Sequence, residues 1–246
     1  MNTGAVIYAT DGDIRYTQIA QECALRVEQY LGIPAIIVEG SKIVKSTRNW
    51  ADCKGKVQWR NGGRCNALDD SPYERTILLD ADYWIASDCL KSCLDSSESF
   101  LAHNTRMYIN EDKPKIETFG VYKTEMWWAT VCVFDRSEYT QDIFDAWRMI
   151  EENYTHYANL FNFNKYFFRN DFALSLALLL CNGGERQSAC IPWPLLHVPD
   201  SCNLDLQKHT WNIEYPVNQI PKRITIKNTD LHIMGKRNLE KLCEIQ

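Results

Sequence analysis

The segment Arg75-Thr-Ile-Leu-Leu-Asp80-Ala-Asp82-Tyr-Trp-Ile85 joins an apolar run to two carboxylates two residues apart. Thr76 to Leu79 reads as a buried strand, because the run is short and rich in β-formers. Side chains at i and i+2 of a strand share a face, so Asp80 and Asp82 are expected to point one way and Ala81 the other. In open α/β sheets, ligands bind beyond the carboxyl ends of the strands. Two carboxylates there repel each other unless something positive lies between them, and a divalent cation answers that need. The bland counterpart is a strand end whose acids face water, and a bare Asp-x-Asp does not separate the two.

The elements that would position this pair alternate between strand and helix. Gly4 to Ala9 is an apolar run that stops at Thr10-Asp11-Gly12-Asp13, a turn cluster with helix-capping residues. From Ile14 to Leu31, apolar residues at Ile19, Cys23, Leu25, Val27 and Leu31 predict an amphipathic helix closed by Gly32. Ala35 to Val38 reads as a second strand, whereas the polar stretch 40–63, with Trp50 and Trp59, reads as irregular or edge structure. Phe100 to His103 and Val131 to Phe134 are further strands, Glu138 to Asn153 a helix, and Asp171 to Leu180 the most apolar helix. Beyond Pro192 the chain is broken by Pro194, Pro199, Pro216 and Pro221, so residues 192–246 are expected to wrap around the body and back to the site. The expected fold class is α/β: one domain over residues 1–246, with a mostly parallel central sheet flanked by helices.

Composition narrows the classes. A hydrophobic fraction of 45% and a charged fraction of 24% are globular values that argue against disorder. The net charge of −5 removes any global electrostatic case for nucleic acid, although Lys208, Lys222, Arg223, Lys227, Lys236, Arg237 and Lys241 form a local basic excess that could face phosphates or simply be solvated. The longest apolar stretch, Phe172 to Cys181, is about half the ~20 residues a membrane span needs. The N-terminus runs into a strand without a basic leader, and none of the ten cysteines forms a Cys-x-x-Cys. A cytoplasmic protein with reduced core thiols and no zinc site is therefore expected.

Several of these pieces together resemble the GT-A glycosyltransferases, specifically the glycogenin-like family eight of retaining enzymes. Tyr8-Ala9-Thr10-Asp11, with Tyr16 following, is similar to that family's opening nucleotide-binding segment. Arg64 and Tyr73 precede the Asp80-Ala81-Asp82 triplet at family-like spacing, 16 and 7 positions before the first aspartate. Val131-Cys-Val-Phe134 followed by Ser137 is similar to the mid-chain strand. Asp230-Leu-His232-Ile-Met-Gly235-Lys236 resembles the His-x-x-Gly-x-x-Lys signature, with the lysine one rather than three residues after the glycine. Two segments depart from the pattern. Trp128-Ala129-Thr130 stands where the family shows Asn-(Ser/Ala)-Gly, and Asn170-Asp171-Phe172 where it shows Asp-Gln. Both segments touch the sugar end of the family's site.

The resemblance implies transfer of a hexose, glucose or galactose, from a UDP-sugar to a hydroxyl acceptor with retention of configuration. In that chemistry negative charge builds on the leaving diphosphate, and a metal neutralises it as a Lewis acid. Asp80, Asp82 and His232 would be the metal ligands, and a mixed oxygen and imidazole shell suits Mn²⁺ better than Mg²⁺. Ala9, Thr10, Asp11, Tyr16, Asp80, Ala81 and Lys236 would bind the nucleotide and its diphosphate. Arg64 would orient the donor, and Asp171 would face the anomeric centre. Each has an ordinary reading too: a surface histidine, a solvated lysine, a capping arginine, and helix-capping acids at Asp11 and Asp171.

The acceptor is open to a glycan, a protein or a modified DNA base. Trp127-Trp128 and the run Tyr154, Tyr157, Phe161, Phe163, Tyr166, Phe167, Phe168 would serve as core or as a stacking platform for a sugar or base. The alternatives are a phage-type DNA glycosyltransferase acting on a hydroxymethylated base, a non-catalytic sugar-nucleotide-binding protein, and a haloacid-dehalogenase-type phosphatase. The phosphatase pattern Asp-x-Asp-x-Thr meets Trp84 at its last position here. A nucleotidyltransferase would want a Gly-rich basic loop after the first strand, where this chain has only Asp11-Gly12-Asp13.

Overall fold

The computed structural model of the chain describes residues 2–9, 16–39, 44–50, 53–59, 62–165, 168–184, 189–207, 209–217 and 220–244. The strands of the first half are β1 (Thr3–Ala9), β2 (Ala35–Glu39), β3 (Val44–Trp50), β4 (Cys53–Trp59), β5 (Arg75–Asp80), β6 (Tyr83–Trp84), β7 (Phe100–His103) and β8 (Arg106–Tyr108). Those of the second half are β9 (Thr118–Phe119), β10 (Thr124–Glu125), β11 (Trp128–Asp135), β12 (Leu195–Val198), β13 (Asn203–Gln207), β14 (Thr210–Val217), β15 (Ile220–Lys227) and β16 (Leu231–Ile233). The helices are α1 (Tyr16–Arg26), α2 (Ala67–Asp70), α3 (Lys91–Leu94), α4 (Glu138–Glu152), α5 (Tyr154–Phe161), α6 (Asn170–Cys181) and α7 (Lys236–Glu244).

The fold is mixed α/β around a five-stranded sheet in the order β2-β1-β5-β11-β7. β1 pairs in parallel with both β2 and β5, while β11 runs antiparallel between β5 and β7, so four of the five strands share one direction. β1 and β5 are buried almost end to end, as central strands covered on both faces must be, which is why they read as continuous apolar runs. Helix α1 packs on β1 and β2, and α6 lies against β11 with α4 beside it. Gly4 is required where β1 passes under Tyr73: a Cβ there would stand 2.3 Å from the tyrosine ring.

A second sheet, β6-β16-β12-β8, takes two of its four strands, β12 and β16, from the tail. β16 pairs antiparallel with β6, and β12 runs parallel to both β16 and β8. Its position follows from the first sheet, since β6 begins three residues after β5 ends.

Three expectations need correction. The stretch around Trp50 and Trp59 contains a regular hairpin, with Val44 opposite Trp59 and Trp50 opposite Cys53. Its polar composition gave no apolar run to read. The tail is not merely broken by proline: β13, β14 and β15 form an antiparallel meander. Pro216 sits opposite Pro221 and beyond the last residue of β14 that pairs with β13, so neither ring removes a needed ladder donor. Finally, Leu25 is 61% exposed and Arg26 is the buried residue instead, its guanidinium 4.0 Å from the Trp84 ring centre and bonded to Glu22 and the Ile85 carbonyl. After Arg26 the helix widens into a π turn, Val27–Leu31, and Gly32 ends it at φ +71° with its N–H on the Glu28 carbonyl.

The aromatic run after Asn153 is mostly packing. Tyr154 and Phe168 are buried with ring centres 4.9 Å apart, and Phe163 packs on Phe172 at 5.1 Å; Tyr166 and Phe167 lie outside the described residues. Trp127 and Trp128 are buried as well. Among the described residues no cysteine is in a disulfide, and no described helix is long and apolar enough to cross a membrane.

Candidate functional site

Asp80 is the last residue of β5, opposite Tyr8 of β1, at the carboxyl ends of two adjacent parallel strands. The chain turns at Ala81 and Asp82, and the Asp82 carbonyl accepts the Ile233 N–H at 3.0 Å. That bond and the Trp84–Leu231 and Tyr83–His232 pairs hold β16 against the turn. His232 therefore reaches the aspartates from the C-terminal tail. One ligand-type atom from each of Asp80, Asp82 and His232 lies within 4.8 Å of the others, with His232 Nε2 3.5 Å from Asp82 Oδ1.

Arg64 forms an ion pair with Asp80. Its turn is fastened from below by α4. The Gly63 N–H donates to both oxygens of Glu151, at 3.1 and 3.2 Å, and the Cys65 thiol donates to Glu151 at 3.4 Å. Arg148, one helical turn earlier, donates to the Asn66 side chain at 3.2 Å. Gly63 supplies the φ of +91° that turns Arg64 toward the sheet.

Asp171 lies in the first turn of α6. One oxygen accepts the Ala129 N–H at 3.0 Å and the other pairs with Arg169 at 2.8 Å. Its charge is felt by Arg64, Asp80 and His232, which places it on the border of the same cluster. The departure at Trp128-Ala129-Thr130 is thus bound into the site through Ala129, while the Trp128 indole packs on His197 at 4.7 Å.

The charges of the cluster are strongly interdependent. Burial, aided by Asp82 and opposed by Arg64, pushes the Asp80 carboxyl up to about 7. Burial also works against an ionised Asp82, but the charge and hydrogen bond of His232, with Arg64, hold it below the usual carboxylate range. His232 is the reciprocal case: burial opposes its charge, and Asp82 and then Asp80 keep it above the ordinary imidazole value. Arg64 stays charged despite burial because Asp80, Asp82 and Asp171 surround it. Burial and the two aspartates push Tyr16 up to about 12, so its hydroxyl remains protonated at the edge of the group. Two carboxylates and an imidazole, buried and close together with one carboxyl driven toward neutrality, form a donor set that fits a divalent cation of mixed oxygen and nitrogen preference.

The other expected site residues are distributed unevenly. Ala9 and Ala81 are buried at the ends of β1 and β5 beside the aspartates. Thr10 and Asp11 lie outside the described residues. Lys236 opens α7, and its side chain likewise lies outside the described part. Tyr73 is not brought to the cluster: it covers Gly4 at the opposite end of β1. Asp230 has an anchoring position, accepting the Ala86 N–H at 2.8 Å and the Tyr83 hydroxyl at 3.4 Å. Phe161 and Trp127 line a separate cavity of about 440 Å³ with Tyr122 and Leu178, which does not include the aspartates.

Two residues of the site were missed in the sequence. Glu151 carried a signal, since it falls on the buried stripe Ile143, Trp147, Ile150 of α4, where an acid needs a partner. His197 carried a weaker one as a lone histidine in the apolar run Leu195–Val198. Its Nδ1 lies 3.0 Å from His232 Nδ1, and burial pushes its pKa down to about 2.

No protein-family model matches this chain, and no curated protein or solved structure matches it either.

Proposed function

We propose that this chain is a metal-dependent glycosyltransferase on a GT-A-like fold, moving glucose or galactose from a UDP-sugar to a hydroxyl acceptor with retention. One observation carries the reading: His232 from the tail and Arg64 from the loop before α2 converge on the Asp80–Asp82 pair at the carboxyl ends of parallel strands. Each group has work to do in that reaction. Asp80, Asp82 and His232 would hold Mn²⁺, or Mg²⁺, which when bound supplies Lewis-acid neutralisation of the leaving diphosphate.

Arg64 keeps its charge and offers a guanidinium fork to the donor phosphates or sugar. Tyr16 presents a protonated hydroxyl beside the aspartates, suited to the ribose or base. Asp171, held by the Ala129 N–H and Arg169, directs negative charge toward the positive charge that develops at the anomeric carbon. In a retaining front-face attack the leaving phosphate takes the acceptor's proton, so no separate general base is required. A glycan, a protein or a modified DNA base remains compatible as acceptor.

The test is UDP release from a panel of UDP-sugars with Mn²⁺ or EDTA, comparing wild type with Asp82→Asn, beside calorimetry of UDP with Mn²⁺. Slow metal-dependent hydrolysis lost in the variant is expected. Absence of both turnover and UDP–Mn²⁺ binding would end the glycosyltransferase reading.

A further inference from the structure

The His232 ring has two nitrogens with different neighbours. Nε2 faces Asp82 at 3.5 Å, and Nδ1 lies 3.0 Å from Nδ1 of His197. That second contact is built into the fold. His197 and His232 are direct partners in the parallel pairing of β12 with β16, and their ring centres are 4.8 Å apart. His197 is 1% exposed, boxed in by Trp128 at 4.7 Å and Tyr108 at 5.3 Å. Its Nε2 is buried with no hydrogen-bond partner. Such a ring is enclosed away from solvent, with its Nδ1 facing His232.

Of two imidazole nitrogens 3.0 Å apart, one must donate and the other accept. If His197 donated, His232 would carry its hydrogen on Nε2, facing Asp82, and would have no lone pair to offer there. If His232 donates, Nδ1 holds the hydrogen and Nε2 is the nitrogen whose lone pair can turn to the two carboxylates. Ligating histidines are commonly oriented through the opposite ring nitrogen by a carboxylate, a carbonyl or water. Among the described residues, no carboxylate or carbonyl is bonded to His232 Nδ1; another histidine stands in that place.

We infer that His197 is a positioning residue that accepts the His232 Nδ1 hydrogen, fixing the tautomer and ring angle in which His232 Nε2 can bind a divalent cation with Asp80 and Asp82. The role presupposes the metal reading of that group. It also explains why a histidine lies in the apolar strand β12, between Leu196 and Val198, where an aliphatic residue would pack without a polar atom to satisfy.

The test measures Mn²⁺ affinity by electron paramagnetic resonance for wild type, Asp82→Asn, His197→Phe and His197→Asn, with circular dichroism and melting curves as a check on folding. His197→Phe keeps a planar ring without an acceptor and is expected to weaken Mn²⁺ binding by about 10- to 100-fold. His197→Asn returns an acceptor oxygen near the Nδ1 position and is expected to recover most of that loss. Imidazole ¹⁵N spectra of the metal-free wild type, recorded at a pH high enough for the His232 ring to be neutral, supply a readout that needs no variant to fold: His232 Nδ1 should carry a hydrogen and His197 Nδ1 should not. Folded His197→Phe with wild-type Mn²⁺ affinity, or a bare His232 Nδ1, would overturn the role of His197 while leaving the metal site in place. Wild-type protein that binds no Mn²⁺, or binds it equally after Asp82→Asn, would remove the metal site and the role together.

Discussion

Asp230 and Glu151, at 6% and 3% exposure, are as deeply buried as Asp80 at 9%, yet their surroundings differ in kind. Asp230 accepts the Ala86 N–H and the Tyr83 hydroxyl, and Glu151 accepts the Gly63 N–H with both oxygens. Their oxygens meet neutral donors, backbone N–H groups together with the Tyr83 hydroxyl and the Cys89 and Cys65 thiols, and each pins a loop: Asp230 the segment after β6, Glu151 the turn that carries Arg64. Asp80 and Asp82 instead face side-chain charges, Arg64 and His232, and each other. An acid whose oxygens meet only neutral donors of its own fold has finished its task in the folded chain. An acid confronted with another acid and two basic side chains keeps a charge arrangement that an added cation or phosphate can complete. The second kind marks a site; the first kind holds that site in shape.

The contrast predicts opposite phenotypes. The largest effect should come from Asp82→Asn, which is expected to lower metal-dependent UDP release by about 10²- to 10³-fold while the protein still unfolds cooperatively. Asp230→Ala should do the reverse. It leaves the Ala86 N–H buried and unpaired, so denaturant titration is expected to show a loss of about 2–3 kcal/mol. Should Asp82→Asn prove the more destabilising of the two, the division between anchoring and site acids would be wrong.

A smaller effect is expected at Gly235, which links β16 to α7. A Cβ there would lie 2.9 Å from the Asn238 amide and 3.1 Å from Asp200 Oδ1, so Gly235→Ala should cost about 1 kcal/mol. Because His232 is three residues upstream, the same variant should also weaken Mn²⁺ binding slightly.

The subtlest expectation concerns pH. Folded Asp80, raised to about 7, retains a proton that the unfolded chain has released above its ordinary 3.8. Stability of the metal-free protein should therefore fall as pH rises across that window. His232, raised from 6.5, adds stability that is complete below that value and is lost as pH climbs through its folded pKa. Asp82 acts the other way, its contribution present above 3.8 and lost in acid. Urea midpoints across the window should decline in wild type and flatten in Asp80→Asn, while added Mn²⁺ should stabilise more at the higher pH because its ligands must be deprotonated. A wild-type midpoint that climbs steadily without metal would show that Asp80 is ionised throughout.

How much of this could be read beforehand depends on the range of the interactions involved. The α1 register went wrong only at Leu25 and Arg26, because choosing which neighbour turns inward requires knowing that the Trp84 ring lies opposite. The hairpin β3–β4 has little apolar alternation, so its pairing left no periodic trace. Strands β13–β15 do alternate, with Leu204 and Leu206, Trp211 and Ile213, and Ile224 and Ile226 each two residues apart, a signal the prolines obscured. Tyr73 sits at the spacing of the resemblance yet packs on Gly4, since spacing counts residues along the chain and β5 runs from the amino ends of the parallel strands, where Tyr73 lies, to their carboxyl ends, where Asp80 lies.

The resemblance, not the local pattern, nominated Arg64 and His232. Local pattern alone was enough to place β1 and β5 and to end β5 in an acid, although Asp82 lies in the turn that follows rather than on the same strand face as Asp80. The strand placements follow from side-chain alternation and turn chemistry within a few residues of each position. That His232 stands beside Asp82, that Glu151 holds the Arg64 turn and that His197 backs His232 all depend on strands and helices distant in sequence meeting in space. Burial then sets their charges, because desolvation and the neighbouring ions exist only once those elements have packed.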